Sequence, residues 1–530
     1  MEAVLRSSEP PPQPARYTFG LRLTAALLLV ALADLLFFRQ WPGATLGLFA
    51  LALLVMVATT SPRALRSRPA LAAGGLALCF ALALVDDPSL LALLLFWLAA
   101  AMTVLLPRAA RFGSGWTWAK RLAVHHLRIP IGAVRDLARW RRARRRAGPA
   151  RFVRSLPVLV LPMLGSAVFL ALFATANPLI SDALGTVRVG GLFDGIGPVR
   201  IAFWALVLLP LWSLLRPRLG LRQIQAPSDF ELVLPGVSLA SVTLSLFAFN
   251  AIFALQNGLD IAFLWSGAPL PEGMTLAAYA HRGAYPLIAT ALLAGLFVLV
   301  TLQPGSETAR SRLVRNLVYV WIAQNVLLVA STMLRTFDYI DAYSLTRLRI
   351  AALLWMGLVA VGLVLICVRI WRGKSGAWLI NANLAAALIL LSACSFVDLG
   401  RMAAAWNVRH AREAGGRGSG IDLCYLRWLG DPALLPLVEL ESRTRDAALR
   451  ERVGAVRIET MAALARRQSD WHGWTWRGAR RLAAAEAAVQ ARGLPRTVEW
   501  PRDCSGRLSF EAPGMPTVQV AAPPLTAKAR

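Results

Sequence analysis

The sequence predicts an all-α fold: a polytopic transmembrane bundle of about eleven helices followed by a small helical extracytoplasmic C-terminal tail. Three observations predict it. The chain of 530 residues is 57% hydrophobic and only 16% charged, where a soluble protein carries about a quarter charged residues. Its apolar residues gather into uncharged runs near the roughly 20 residues that a helix needs to cross a hydrocarbon core of about 30 Å. The basic residues behind the net charge of +28 sit between those runs, where cytoplasmic loops carry them.

The apolar runs, in order, are residues 20–38, 43–59, 70–85, 88–106, 156–175, 201–215, 232–255, 285–302, 317–334, 350–370 and 377–397. The third and sixth are short, and losing either would change the parity of the crossings. Arg6, Arg16 and Arg22 precede or open the first run, which lacks a small-residue cleavage site. It reads as a retained helix, not a signal peptide.

Charge alternates along the connectors. The N-terminus and residues 61–69, 107–155, 216–231, 303–315 and 369–374 are rich in arginine. The intervening loops carry Asp86 and Asp87, Asp182 and Asp194, Asp260 and Glu272, and Asp338 and Asp341. The positive-inside rule puts the N-terminus in the cytoplasm. Eleven crossings then put the tail in a periplasm and the protein in a cell inner membrane. The connector after the ninth run is the weakest case, because Arg335, Arg347 and Arg349 offset its acids. The domains expected are a four-helix region at 1–106, a basic cytoplasmic loop at 107–155, a seven-helix region at 156–397, a helical tail at 398–512 and a disordered terminus at 513–530.

Residues 108–154 hold 14 arginine or lysine residues against one acid, Asp136, with Trp116, Trp118 and Trp140 among them. Residues 127–146 are expected to lie on the membrane surface with their arginines toward anionic lipid. The topology already accounts for this charge, so no nucleic-acid partner is inferred. Lysine occurs only at Lys120, Lys374 and Lys528, a preference for arginine read as the codon bias of a GC-rich bacterial genome. In the tail, residues 431–492 are rich in Ala, Leu, Arg and Glu and read as two or three short helices. Leu449, Val453, Val456, Ala463 and Leu464 share one helical face.

Ionisable or strongly polar residues inside apolar spans are costly, and so are functional candidates. Asp34, near the outer end of the first run, is expected to snorkel to the surface. Asn250, Gln324 and Asn325 lie deeper and are expected to make interhelical hydrogen bonds, with substrate contact as the alternative. Two outward loops concentrate polar residues at one membrane face: Tyr279, His281 and Arg282, then Asp338, Tyr339, Asp341, Tyr343, Arg347 and Arg349. They form either a charged aromatic belt or the polar mouth of a cavity. His125 and His126 point about 100° apart on a helix and do not share a metal easily. Three tryptophans fall within residues 471–476, where packing against the tail or the membrane surface is expected. Cys424 and Cys504 lie outside the spans and would pair in an oxidising compartment. Cys79, Cys367 and Cys394 lie inside them. No phosphate loop, nucleophile elbow, zinc motif or dinucleotide fingerprint appears in a supporting context. No catalytic residue, cofactor or metal is assigned, and no protein partner.

The Tyr-x-x-Arg-Gly box at 279–283 and the Tyr-x-Leu-Thr-x-Leu-Arg box at 343–349 resemble the bacterial membrane proteins of domain of unknown function 4173. Trp406-Asn-Val-Arg409, the stretch from Asp422 to Leu426 and the tryptophan-rich segment at 471–476 resemble that family as well. The likeness covers the second half of the membrane region and the start of the tail; the first four helices and the basic loop fall outside it. Cys424 stands where that pattern carries an acid, so the resemblance does not imply a disulfide. It implies a polytopic inner-membrane protein and no activity. Three kinds of function fit the sequence: a transporter-like protein for a small or lipidic solute, a non-catalytic scaffold or sensor, and a membrane-embedded transferase acting on a lipid-linked substrate.

Overall fold

The computed structural model describes residues 15–109, 113–127, 197–217, 238–265 and 306–497, together with 132, 135, 136, 138, 139, 290, 293–298, 300–302 and 504. Among these residues every regular element is helical. The chain is a multi-pass, all-α membrane protein, and among the described residues eight helices are long and apolar enough to cross a bilayer. It divides into two compact units. The first comprises residues 1–336, 351–397 and 468–477; the second comprises 337–350, 398–467 and 478–530.

The first unit opens with α1 (Ala15–Phe37), α2 (Thr45–Thr60), α3 (Arg68–Asp86) and α4 (Leu90–Leu105). Their starts follow ordinary end chemistry. Proline occupies the first turn of α3, where its missing N–H costs nothing. The Ser89 hydroxyl accepts the amide of Ala92 at 3.2 Å to begin α4. Of the expected spans, the third and sixth prove full length, at 19 and 18 residues; α2 is short, at 16, and α4, also 16, runs on through a 3-10 turn to Arg108. The fifth, at 156–175, lies outside the described residues.

After α5 (Gly115–Leu127) come α6 (Pro198–Leu215), α7 (Leu239–Asp260), α8 (Arg312–Tyr343), α9 (Arg347–Trp371) and α10 (Gly376–Phe396). Helix α8 has 32 residues, about 48 Å at the usual rise, so it outruns the hydrocarbon. Lipid tails are as apolar as leucine, so burial drives these helices together weakly and close packing by small residues matters more. Ala50, Ala77, Ala81, Ala92, Ala100 and Ala101 are accordingly buried in the core of α1–α4. Gly47 of α2 lies against the backbone of Val85 and the carbonyl of Ala81 in α3, where any Cβ would overlap them.

Residues 468–477 of the tail belong to this first unit. Gly43 and Ala44 donate their amides to the carbonyls of His472 and Trp474, both at 2.7 Å. A side chain at Gly43 would collide with those carbonyls. Arg477 reaches Asp86 at 2.7 Å, Asp87 at 3.2 Å and the Phe396 carbonyl at 3.2 Å. The tryptophan-rich segment thus closes over the ends of α1, α3 and α10 through its backbone and Arg477, while Trp471 itself stays exposed.

The second unit packs α11 (Leu399–His410), α12 (Leu423–Leu429), α13 (Leu434–Arg443), α14 (Ala447–Ser469) and α15 (Trp476–Ala491). Val408, Leu426, Leu437, Leu440, Val453 and Val456 form its core. On α14 the buried face runs through Leu449, Val453, Val456, Thr460 and Leu464; Ala463, expected on it, is exposed. Arg457, fully buried, donates to the equally buried Glu441 and to the Pro495 carbonyl. A disulfide joins Cys424 to Cys504 with 4.8 Å between their Cα atoms.

Gly47→Val should lower the stability of the detergent-purified protein by about 1–3 kcal/mol. Gly75→Val on α3, where a side chain meets nothing within 4 Å, should stay within about 0.5 kcal/mol of the parent. Denaturation midpoints of the two variants check the contrast.

Candidate functional site

The densest polar arrangement inside a membrane-spanning pair of helices is the seam between α7 and α8. Asn250 donates its amide to the carbonyls of Leu246 at 2.8 Å and Leu317 at 3.1 Å. Seven residues on, Asn257 donates to the carbonyl of Gln324 at 3.1 Å. Both cross-helix bonds join residues 67 apart, so the two helices run parallel at a heptad register. Parallel neighbours require an odd number of crossings between them, and the expected eighth span lies in that interval. Its described part, from Leu293 to Leu302, is helical to Thr301 except at the undescribed residue 299, and its end is capped by Arg369, which donates to the carbonyls of Val298 and Leu302.

The seam continues outward. Gln324 donates its amide to the Asn250 oxygen at 2.8 Å. Asp260 at the end of α7 pairs with Arg335 of α8, both side chains less than a tenth exposed, and also accepts from Gln256 at 3.0 Å. Beyond Asp260 the chain makes one π-helical turn, Ile261–Trp265, and Trp265 donates to Ser331 at 3.1 Å. The expectation that Asp260 and Arg335 are loop charges is therefore corrected. Helix α7 outlasts the apolar run by five residues, past Leu255 to Asp260, because a buried pair removes the cost of ending it in charge.

Carbonyl partners fix which way these amides face, since reversing any of them would set oxygen against oxygen. What is left over is then determined: the side-chain oxygens of Asn257, Gln324 and Asn325 and one carboxylate oxygen of Asp260 are buried with no partner among the described residues. Asn325 spends its own donor on the Trp321 carbonyl at 2.8 Å. The Trp321 indole N–H is also unpartnered, amid Phe249, Phe253 and Phe297. Chemically the seam holds more unmet acceptors than donors among the described residues.

The second polar group has a different character. Tyr279, His281 and Arg282 lie outside the described residues. Tyr343 ends α8 and Arg347 and Arg349 open α9, on either side of the turn at 344–346, and all three belong to the second unit. Ser344 adopts a φ of 68°, a left-handed conformation that is costly for a residue with a side chain and has to be held. Asn407 holds it: its oxygen accepts the Leu345 amide at 2.6 Å and its N–H donates to the Leu345 carbonyl at 2.9 Å. The Tyr425 hydroxyl accepts the Arg347 amide at 2.9 Å, and burial pushes that hydroxyl's pKa up. Arg349 donates to the carbonyls of Tyr343 and Ser344 and lies over the Tyr339 ring, which packs on Tyr343. Asp338 and Asp341 are exposed. The residues of the 343–349, 406–409 and 422–426 motifs thus meet in one clamp around a strained turn.

Other candidates settle differently. Asp34 does not snorkel alone: it accepts from Arg200 and, at 2.8 Å, from Trp204 of α6. His125 is buried, and burial, His126 and Arg108 lower its pKa to about 4. The two rings stand nearly perpendicular, and no metal-ligating group occurs among the described residues. The surface-lying stretch expected at 127–146 is mostly outside the described residues. Its one acid, Asp136, is buried against Arg216 at 3.3 Å and Trp212 at 3.2 Å.

The family model that matches is domain of unknown function 4153, over residues 70–440. This replaces the likeness to domain of unknown function 4173. The match takes in α3, α4 and the basic loop, which that likeness left out, and stops short of the tryptophan-rich segment. No curated protein and no solved structure matches the chain. The chain belongs to the domain of unknown function 4153 family.

Asn407→Ala leaves the buried Leu345 amide and carbonyl unmet, which should cost about 1–3 kcal/mol. Faster amide exchange at residues 343–347, with α15 unaffected, is the expected signature.

Proposed function

We propose that this member of the domain of unknown function 4153 family is a transporter-like inner-membrane protein, with the α7–α8 seam as the surface that meets a small or lipidic solute. One observation carries the reading. A seam built only to glue two helices would match donors to acceptors, because hydrocarbon offers neither. Among the described residues this one leaves buried oxygens of Asn257, Asp260, Gln324 and Asn325 unmatched, and a solute rich in donor groups would satisfy them.

The reading includes an orientation: the N-terminus in the cytoplasm and the tail in the periplasm. The arginine-rich connectors and the Cys424–Cys504 disulfide support it, since structural disulfides persist in oxidising compartments.

Cysteine accessibility tests the seam without knowledge of the solute. In a background lacking Cys79, Cys367 and Cys394, Asn257→Cys or Asn325→Cys should react in cells with a membrane-impermeant thiol reagent. Leu246→Cys, fully buried on α7, should react at least about tenfold more slowly, the ratio that a barrier of roughly 1.4 kcal/mol gives. If all three stay inert in protein that reaches the membrane, the seam is structural and the transport reading fails. The orientation has its own check: thiols trapped in acid before lysis should show Cys424 and Cys504 paired. Finding both free and alkylated without reductant would put the tail on the wrong side.

A further inference from the structure

At the opposite end of the first unit from residues 468–477, four helices bring arginine to one place. Helices α1 to α4 run alternately up and down, so the start of α1, the turn after α2 and the end of α4 share an end of the bundle. They place Arg22, Arg63 and Arg108 there. Helix α6 runs against α1, since Arg200 meets Asp34 at one end while Trp212 packs on Phe19 at the other. It adds Arg216, whose guanidinium lies over the Phe19 ring at 5.3 Å.

These side chains feel one another. Arg22 is in the field of Arg216 and Arg63, and Arg108 in the field of Arg22 and Arg63. Asp136 pairs with Arg216. Among the described residues Arg22, Arg63 and Arg108 have no carboxylate partner, and the Arg22 Nε is buried with no acceptor. Arg22, Arg108 and Arg216 are half-buried with exposed Arg63 beside them, and one carboxylate does not balance that charge where water is partly excluded, because an unpaired charge costs several kcal/mol in a low-dielectric setting.

We propose that Arg22, Arg63, Arg108 and Arg216 form a binding site for a phosphate-bearing anion, occupied by the headgroup of an anionic phospholipid. Three facts favour a lipid over a free ion. The site lies at a membrane-spanning bundle's rim, where a headgroup arrives already concentrated. Guanidinium forks match phosphate oxygens in pairs. Exposed apolar side chains on the same helices, Leu21, Leu27 and Leu28 of α1 and Leu65 after α2, give acyl chains a surface to follow. This site is separate from the α7–α8 seam and does not depend on it.

Native mass spectrometry of the full chain released from detergent tests the site. Phosphatidylglycerol should remain bound after activation that strips phosphatidylethanolamine. The double variant Arg22→Gln/Arg108→Gln should retain it at least tenfold less well, and Arg401→Gln, an exposed arginine of α11, should match the parent. Equal retention of both lipids, or parent-like retention by the double variant, overturns the proposal. A parallel thermal-shift series with inorganic phosphate separates the sources: saturable stabilisation by phosphate without selective lipid retention would overturn the lipid headgroup as occupant. Single Arg63→Gln, at an exposed turn, covers the case in which the double variant fails to fold; it should weaken retention measurably, and no change would count against the site.

Discussion

Hydrocarbon neither gives nor takes a hydrogen bond, and each polar group placed in it has to be met by protein. That constraint organises the first unit at every scale. Threonine hydroxyls turn back onto their own helices, as Thr60 does to Met56 and Thr103 to Ala99. Asp34 is met by Arg200 and Trp204, Asp260 by Arg335 and Gln256, and Arg369 by the open carbonyls at the end of another helix. Where pairing is complete, the bundle is simply held together. Where it is lopsided, with unmet acceptors outnumbering donors along α7–α8 and cations outnumbering carboxylates at the rim near Arg22, the imbalance among the described residues is what both proposals start from.

The two units use burial differently. Aliphatic packing drives the second, with leucines and valines of α11–α14 facing a shared interior and the Arg457–Glu441 pair enclosed among them. The first relies on close approach by alanine and glycine, of which Gly47 is the clearest case. A residue type that is filler in one unit is thus a spacing element in the other.

Much of this was legible in the residues because it rests on length and periodicity. The apolar runs that fall on described residues became helices near the expected places, since a span is fixed by the hydrocarbon thickness. Asn250, Gln324 and Asn325 stood out as polar residues within those runs. Asn257, Asp260 and Arg335 did not, because hydropathy ends a helix at its first charge and cannot see a partner 75 residues away that makes the charge tolerable. The spacing of Asn250 and Asn257 by one heptad was the available signal. Asn407 was visible only as part of a motif; that it braces the turn at Ser344 depends on a fold no local pattern encodes. The same holds for Asp34, whose partner lies 166 residues on, beyond the reach of any window.

The strap formed by residues 468–477 bears on how the protein is made. Arg477 and its partner Asp86 are 391 residues apart, and translation at about 5–20 residues per second takes roughly 20–80 s to cover that distance. For that interval α1–α4 sit in the bilayer with the Gly43 and Ala44 amides and both aspartates of the α3–α4 loop still waiting for the chain's far end. The first helices inserted are therefore the last to be finished, and a ribosome that stalls anywhere before residue 468 leaves behind a bundle with that end unsealed, open to whatever surveillance the membrane provides.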